Sequence, residues 1–281
     1  MKEIISQRPH TDCMLTGERI LSALPADFPW RNKLHCYASI DSTNTAAKQA
    51  ANTGVDAGTV FIADSQTAGR GRLGRSFFSP PGTGIYLSVV LRPGCTPDQL
   101  MHLTCATAVA VCKAVIQCCD LHPGIKWTND LVAGKRKLSG ILTELSVNSQ
   151  SGLVDFAVVG IGINCCQLAA DFPPEIKDIA TSIAIETGKA VDRSRLCAAI
   201  IMALYEMQQN LLAKKQEMMQ FYRKNCITLG QRISIVGNGP VRHATALDID
   251  HDGGLLVRYD SGESGIVTSG EVSVRGMYGY I

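Results

Sequence analysis

Apolar residues recur with different periods in different parts of the chain, and those periods predict its elements. Residues 1–34 have room for one helix and a connector ending in Leu24-Pro25-Ala26-Asp27-Phe28-Pro29-Trp30. Asp41-Ser42-Thr43-Asn44 groups four residues that favour helix N-caps, and the alanine-rich stretch behind them predicts a helix to about Asn52. Thr59 to Asp64 alternates as a strand, and Ile85 to Leu91 is a β-rich run that predicts a buried strand. Pro97 to Asp120 has helical spacing at Leu100, Leu103, Thr107, Val111 and Val115. Gly124 to Leu131 starts as a strand and ends polar. Leu138 to Val147 and Leu153 to Asn164 predict two strands joined by a turn through Asn148-Ser149-Gln150-Ser151-Gly152. Ser194 caps a predicted long helix to about Cys226, with Leu196, Ile200, Leu204, Met207 and Leu211 on its apolar face. Near Leu229 the pattern changes to short strands. Their turns fall at Gly237-Asn238-Gly239, at His251-Asp252-Gly253-Gly254 and at Ser261-Gly262. The whole predicts an α/β (α+β) body over 35–228, with a mixed, mostly antiparallel sheet packed with helices, and a small β-barrel over 229–281.

Composition narrows the function classes. The chain has 281 residues, 46% hydrophobic and 19% charged, enough for a large domain and a small one. A net charge of +2 implies no bulk attraction to nucleic acid or membrane, so any basic site is local. The eleven cysteines include no C-x-x-C pair and no metal-like spacing with histidine. Cys105, Cys112 and Cys119 recur every seven residues on one helix face, as small buried hydrophobes in a reducing compartment would. The first residues lack an apolar leader, and no run reaches the length of a membrane span, so a cytoplasmic protein is expected. No H-E-x-x-H, G-x-S-x-G or G-x-x-x-x-G-K-[ST] pattern occurs.

Five short segments carry candidate chemistry. Gly69-Arg70-Gly71-Arg72-Leu73-Gly74-Arg75 sets three arginines among three glycines. Guanidinium groups suit carboxylate and phosphate, and glycine lets backbone come close to a ligand. A solvated basic turn would have the same composition. Ser42-Thr43 is also simply a good helix cap, Lys135 to Lys137 also fits a solvated turn, and Gly160-Ile161-Gly162-Ile163-Asn164 also fits close strand packing. Lys126-Trp127-Thr128-Asn129-Asp130, a polar end to a strand, is the fifth segment and suits a site.

In order and spacing these segments resemble the biotin protein ligases, whose pattern runs G-R-G-R-x-G-R, K-W-P-N-D, K-L-x-G-I-L-x-E and G-x-G-I-N. The likeness extends from about Tyr37 to Gly270-Glu271-Val272-Ser273-Val274-Arg275. It implies a class II synthetase-like catalytic domain followed by an SH3-like barrel. It also implies a two-step reaction: biotin and ATP give biotinyl-5′-AMP and pyrophosphate, and a lysine of a biotin carboxyl carrier protein then takes the biotin. By this resemblance Ser42, Thr43, Asn44 and Gln66 meet biotin, the first two and Gln66 at its ureido group. Gly69, Arg70, Gly71 and Arg72 close over biotin and the adenylate, and Gly140 and Leu142 form a wall. Lys137, Arg70 and Arg72 act in the chemistry, with Lys137 at the carboxylate and α-phosphate. Arg75, Phe78, Lys126, Asn129, Asp130, Asn164 and Arg275 belong to the ATP side, and Asp130 is the candidate ligand of Mg²⁺. Two positions depart from the pattern. Phe77 stands where tryptophan is usual and loses an indole donor; Thr128 stands where proline is usual and loses a fixed φ.

The resemblance leaves neighbouring functions to separate. A ligase that also represses the biotin operon carries an N-terminal winged helix of roughly sixty residues. Here about 34 residues precede the predicted body, without a basic recognition helix, so no DNA partner is expected. A lipoate ligase shares the reaction type, but the Gly/Arg loop and Lys137-Leu138-Ser139-Gly140-Ile141 favour biotin. A biotin-sequestering binder needs neither Lys137 nor three loop arginines. A homodimer is compatible with the family.

Overall fold

A computed structural model describes residues 14–237, 239–268 and the backbone of 273–276. Thr16 caps α1 (Gly17–Ala23), followed by β1 (Leu34–Tyr37). Ser42 caps α2 (Thr43–Asn52), as the cluster of capping residues predicts, its Oγ accepting from Thr45 N. Then come β2 (Val60–Ala63), β3 (Gly84–Leu91) and α3 (Leu103–Cys119). The strands β4 (Gly124–Lys126), β5 (Asp130–Ala133), β6 (Arg136–Val147) and β7 (Val154–Asn164) follow. They run in the order β1-β2-β3-β7-β6-β5-β4; β1 and β2 are parallel and the remaining pairs antiparallel, the mixed sheet that was expected.

Strand alternation divides the sheet into two faces with different work. Ile85, Leu87, Val89 and Leu91 of β3 join Val159, Ile161 and Ile163 of β7 in the main core. That core is closed by α3 and by α5 (Arg193–Asn210). The opposite face is apolar only at one end, where Phe61, Val90, Phe156 and Val158 pack under Ala47 and Ala51 of α2. Further along, the same face presents Ser88, Gly160, Gly162, Gly140 and Leu142. Tyr86 and Leu142 share that face, but the glycines leave a recess between them, and the candidate cavity lies there.

Three elements differ from the sequence reading. Lys126 to Asp130 is not the tail of one strand: Lys126 ends β4, Asp130 opens β5, and residues 127–129 form the hairpin turn between them. The predicted helix to Cys226 is two helices, α5 and α6 (Lys215–Asn225), and its cap is Asp192, whose side chain accepts from Arg195 N. Ser194 lies inside α5 and donates to Met14 O. A short helix, α4 (Ile183–Thr187), was not anticipated. Contrary to the expectation of no membrane-length apolar run, Pro97–Cys119 is long and apolar enough by length and composition, but it is mostly buried in the fold.

The C-terminal module is an antiparallel sheet of β8 (Arg232–Val236), β9 (Arg242–Ile249), β10 (Leu255–Tyr259), β11 (Ser264–Val267) and β12 (Ser273–Gly276), in the order β11-β10-β9-β8-β12. This is consistent with the SH3-like module expected. Ile233, Ile235, Ala244, Ala246 and Val257 belong to the same buried cluster as the catalytic body. Its His251–Gly254 turn docks on that body: Gly253 O accepts from Trp127 Nε1 at 2.8 Å, and Asp252 pairs with Lys215 at 2.5 Å.

Candidate active site

One cavity of about 50 Å³ gathers eleven of the residues expected to act. Ser42, Thr43, Asn44 and Gln66 line one side; Arg70, Gly71 and Arg72 cover it; Asn129, Lys137, Gly140 and Leu142 complete it. Phe77, Ile141, Gly160, Ile161 and Gly162 also line it.

The floor is glycine because other groups occupy the space above it. A Cβ at Gly162 would meet Phe77 Cε1 at 2.5 Å, and one at Gly140 would meet Lys137 Nζ at 3.0 Å and Phe77 Cε2 at 3.3 Å. A Cβ at Gly160 would meet Asn44 Cγ at 2.7 Å. Phe77 therefore lies over the floor between β6 and β7, with the Lys137 ammonium 5.9 Å from its ring centre. A volume of this size admits only a few waters, so a larger ligand requires Phe77 or the loop bearing it to move.

The Gly/Arg loop is a small hairpin. Gly71 N donates to Arg75 O, Phe77 N donates to Gly69 O, and Arg70 bridges Ser76. At the tip Leu73 (φ 54°) and Gly74 (φ 72°) both take the left-handed conformation, which Leu73 adopts at a cost of roughly 1–2 kcal/mol. At the base Gly69 is buried; a Cβ there would meet Ser79 Oγ at 2.6 Å. The β5–β6 turn is the primed type, with Gly134 at φ 53° and Lys135 at φ 66°. It sets Lys137 beside Asp130 across the hairpin.

Polar partners fix the side chains. Gln66 Oε1 accepts from Thr43 N and Thr43 Oγ1, while Gln66 Nε2 donates to Ser79 Oγ. Glu144 can only accept, so Asn44 turns Nδ2 to it at 3.0 Å and offers Oδ1 to Ser88 Oγ at 2.6 Å. Three cations each rest on an internal acceptor. Arg70 Nη1 lies 3.1 Å from Glu144 Oε2, Arg72 Nη1 lies 3.0 Å from Asn129 Oδ1, and Lys137 Nζ lies 2.8 Å from Asp130 Oδ1. Burial lowers the Arg72 guanidinium from its ordinary value, with Asp130 opposing that shift. It remains a cation at any working pH.

Other expected residues sit elsewhere. Asn164 is buried off the cavity wall: Nδ2 donates to Thr181 O, and Oδ1 accepts from Gln167 Nε2. Lys126 is buried on β4 opposite Asp130. Arg75 is exposed, and Phe78 half-buried, off the cavity wall. Arg275 pairs through its backbone with Ser234 on β8, and its side chain lies outside the described residues. Among the described residues no cluster of three histidine, cysteine or acidic side chains could hold a metal, and Asp130 is engaged by Lys137. Sequence reasoning missed Phe77 and Gly162 as cavity walls and Ser88 and Glu144 as supports. The signal was strand phase: Glu144 shares a face with Gly140 and Leu142.

A glycine-floored, cation-covered cavity on a mixed sheet, with a small antiparallel module docked behind it, has close parallels among known proteins. Residues 36–164 match the Biotin/lipoate A/B protein ligase family, and residues 228–275 match the Biotin protein ligase C terminal domain. Biotin--[acetyl-CoA-carboxylase] ligase of Mycobacterium tuberculosis is 32% identical over 252 residues, spanning 86% of this chain and 89% of that protein. The Bifunctional ligase/repressor BirA of Bacillus spizizenii is 33% identical over 224 residues, 79% of this chain and 68% of that protein. The structure of biotin protein ligase from Aquifex aeolicus in complex with biotin and ATP matches with a TM-score of 0.74 and 31% identity, covering 87% of this chain and 99% of that one. The chain belongs to the biotin protein ligase family.

Proposed function

We propose that the protein activates biotin with ATP and transfers it to a lysine of a biotin carboxyl carrier protein. The observation that carries this reading is the convergence of Arg70, Arg72 and Lys137 on one small cavity. A carboxylate and a polyphosphate repel each other, and the transition state spreads more charge over the phosphate oxygens. Fixed cations in a site shielded from bulk water offset both effects.

In this reading Phe77 moves aside, the bicyclic ring takes its place over Gly140 and Gly162, and Ser42, Thr43 and Gln66 hydrogen-bond its ureido group. Lys137 exchanges Asp130 for the carboxylate and the α-phosphate. Its ammonium stabilises the charge that develops as the carboxylate oxygen attacks phosphorus and pyrophosphate leaves. The carrier lysine amine then attacks the carbonyl of the mixed anhydride, AMP departs, and an amide forms. Arg72 covers the intermediate and limits access by water. Mg²⁺ takes one or two carboxylates together with substrate phosphates. The donors present fit that pattern: Asp130, once released by Lys137, would hold the ion, which would supply further charge neutralisation at the phosphates.

Incubating the protein with biotin, ATP and a carrier domain, and weighing the carrier by mass spectrometry, tests this proposal. One biotinyl addition at one lysine is expected, and lipoate should not replace biotin. An unmodified carrier, or equal modification with lipoate, would overturn the proposal.

A further inference from the structure

Glu144 lies just beyond the cavity wall on β6, in phase with Gly140 and Leu142. Its side chain is 19% exposed and meets three donors. Oε2 accepts from Asn44 Nδ2 at 3.0 Å and from Arg70 Nη1 at 3.1 Å, and Oε1 lies 3.6 Å from Lys48 Nζ. Asn44 belongs to the cavity wall and Arg70 to the hairpin that covers it. One carboxylate oxygen therefore ties the cover to the wall. The same contact sets the Asn44 amide, because an acceptor-only partner forces Oδ1 toward Ser88.

We propose that Glu144 is a positioning residue: it latches the 69–77 hairpin against the sheet through Arg70 and lets it open for substrate. The latch is ionic and sits at the surface, with Arg70 45% exposed. Exposed ion pairs are weak and screened by salt. A weak tie suits a cover that must lift, because the half-open cavity beneath it has only about 50 Å³ of free volume, less than a bicyclic ligand fills. A deeply buried pair would hold the cover shut. The identity of what enters rests on the proposed function, whereas the latch is a property of the protein alone.

Trypsin cleavage after Arg70, Arg72 and Arg75 reads opening of the hairpin without any ligand. Glu144→Gln keeps an oxygen for Asn44 and removes the charge that holds Arg70. Cleavage in the hairpin should rise about two- to fivefold, the range an exposed ion pair supports. Cleavage elsewhere in the chain should not change. Raising salt from about 0.05 to about 0.5 M should speed hairpin cleavage in the parent, with trypsin activity normalised on a peptide, and leave the variant nearly unaffected. Equal hairpin cleavage in the two proteins would overturn the latch, and so would faster cleavage throughout the chain or an equal salt response. In a second arm, biotinyl-AMP formed in place should leave Glu144→Gln faster by a similar factor. If neither protein makes the adenylate, the proposed function fails, and the cleavage comparison alone decides the latch.

Discussion

Replacing Gly160 by alanine puts a methyl group into space that Asn44 already fills. The new Cβ would stand 2.7 Å from Asn44 Cγ and 3.1 Å from Asn44 Nδ2, and nearer still to Oδ1. Gly160 is central in β7, paired with Ser88 on one side and Leu142 on the other, so its backbone cannot retreat without breaking two ladders. Asn44 has to move instead, although it is buried at the first turn of α2. Moving it breaks the 3.0 Å bond to Glu144 and the 2.6 Å bond from Ser88. A hydrogen bond to a charged group contributes about 1.5–3 kcal/mol and a neutral one about 1 kcal/mol. Overpacking adds about 1 kcal/mol or more. A destabilisation of about 3–5 kcal/mol follows, which lowers Tm by roughly 5–9 °C for a protein of this size. Thermal unfolding measures it, and Asn44→Ala supplies the control, since it removes the atoms the methyl group strikes. In that background Gly160→Ala should cost less than about 1 kcal/mol, the signature of coupled neighbours. A Tm within about 2 °C of the parent, or an equal cost in both backgrounds, would refute the reasoning.

Lys137→Met should lower adenylate formation about a hundredfold or more while leaving biotin binding within about tenfold, measured by single-turnover kinetics and calorimetry; equal losses in both would place Lys137 outside the chemical step. Burial holds the His102 imidazole below its ordinary value, and its Nε2 donates to Leu211 O. A depressed folded value means that stability is full above the unfolded value of about 6.5 and is lost as pH falls toward the folded one; His102→Gln should flatten the denaturation free energy between about pH 7 and 5, and an unchanged slope would contradict this. Burial also raises the Cys105, Cys112 and Cys119 thiols to about 12, so these three should react slowly near neutral pH in the native protein, and titration should reach all eleven cysteines only after unfolding. Trp127→Phe strands Gly253 O without its 2.8 Å donor and should destabilise by about 1–3 kcal/mol in chemical denaturation; no change would mean that the C-terminal module docks without that bond.

Several features were legible because they are local. Capping chemistry at Ser42, the β-rich run of β3 and the turns at His251–Gly254 and Ser261-Gly262 each depend on neighbours in sequence. The cations of the Gly/Arg segment and Lys137 were legible as chemistry, since guanidinium and ammonium groups in a glycine-rich setting limit what can bind. What could not be read depends on partners far apart in sequence. Asn164 looked like a nucleotide contact, yet Thr181 and Gln167 occupy both ends of its amide. Phe77 looked like a substituted tryptophan; only the pairing of β6 with β7 shows that Gly140 and Gly162 sit side by side beneath its ring. The break at Leu211 to Lys214 was hidden because apolar spacing continues through it while the backbone turns to bring Leu211 O to His102.

The central claim is that the hairpin at Gly69 to Arg75 and Lys137 enclose an adenylate-forming site for biotin. Pyrophosphate release from ATP and biotin, measured with no carrier protein present, tests it most directly. One equivalent released per protein molecule in a burst, dependent on biotin and lost in Lys137→Met, is the predicted result. Biotin bound without pyrophosphate release, or release that ignores biotin, would contradict it.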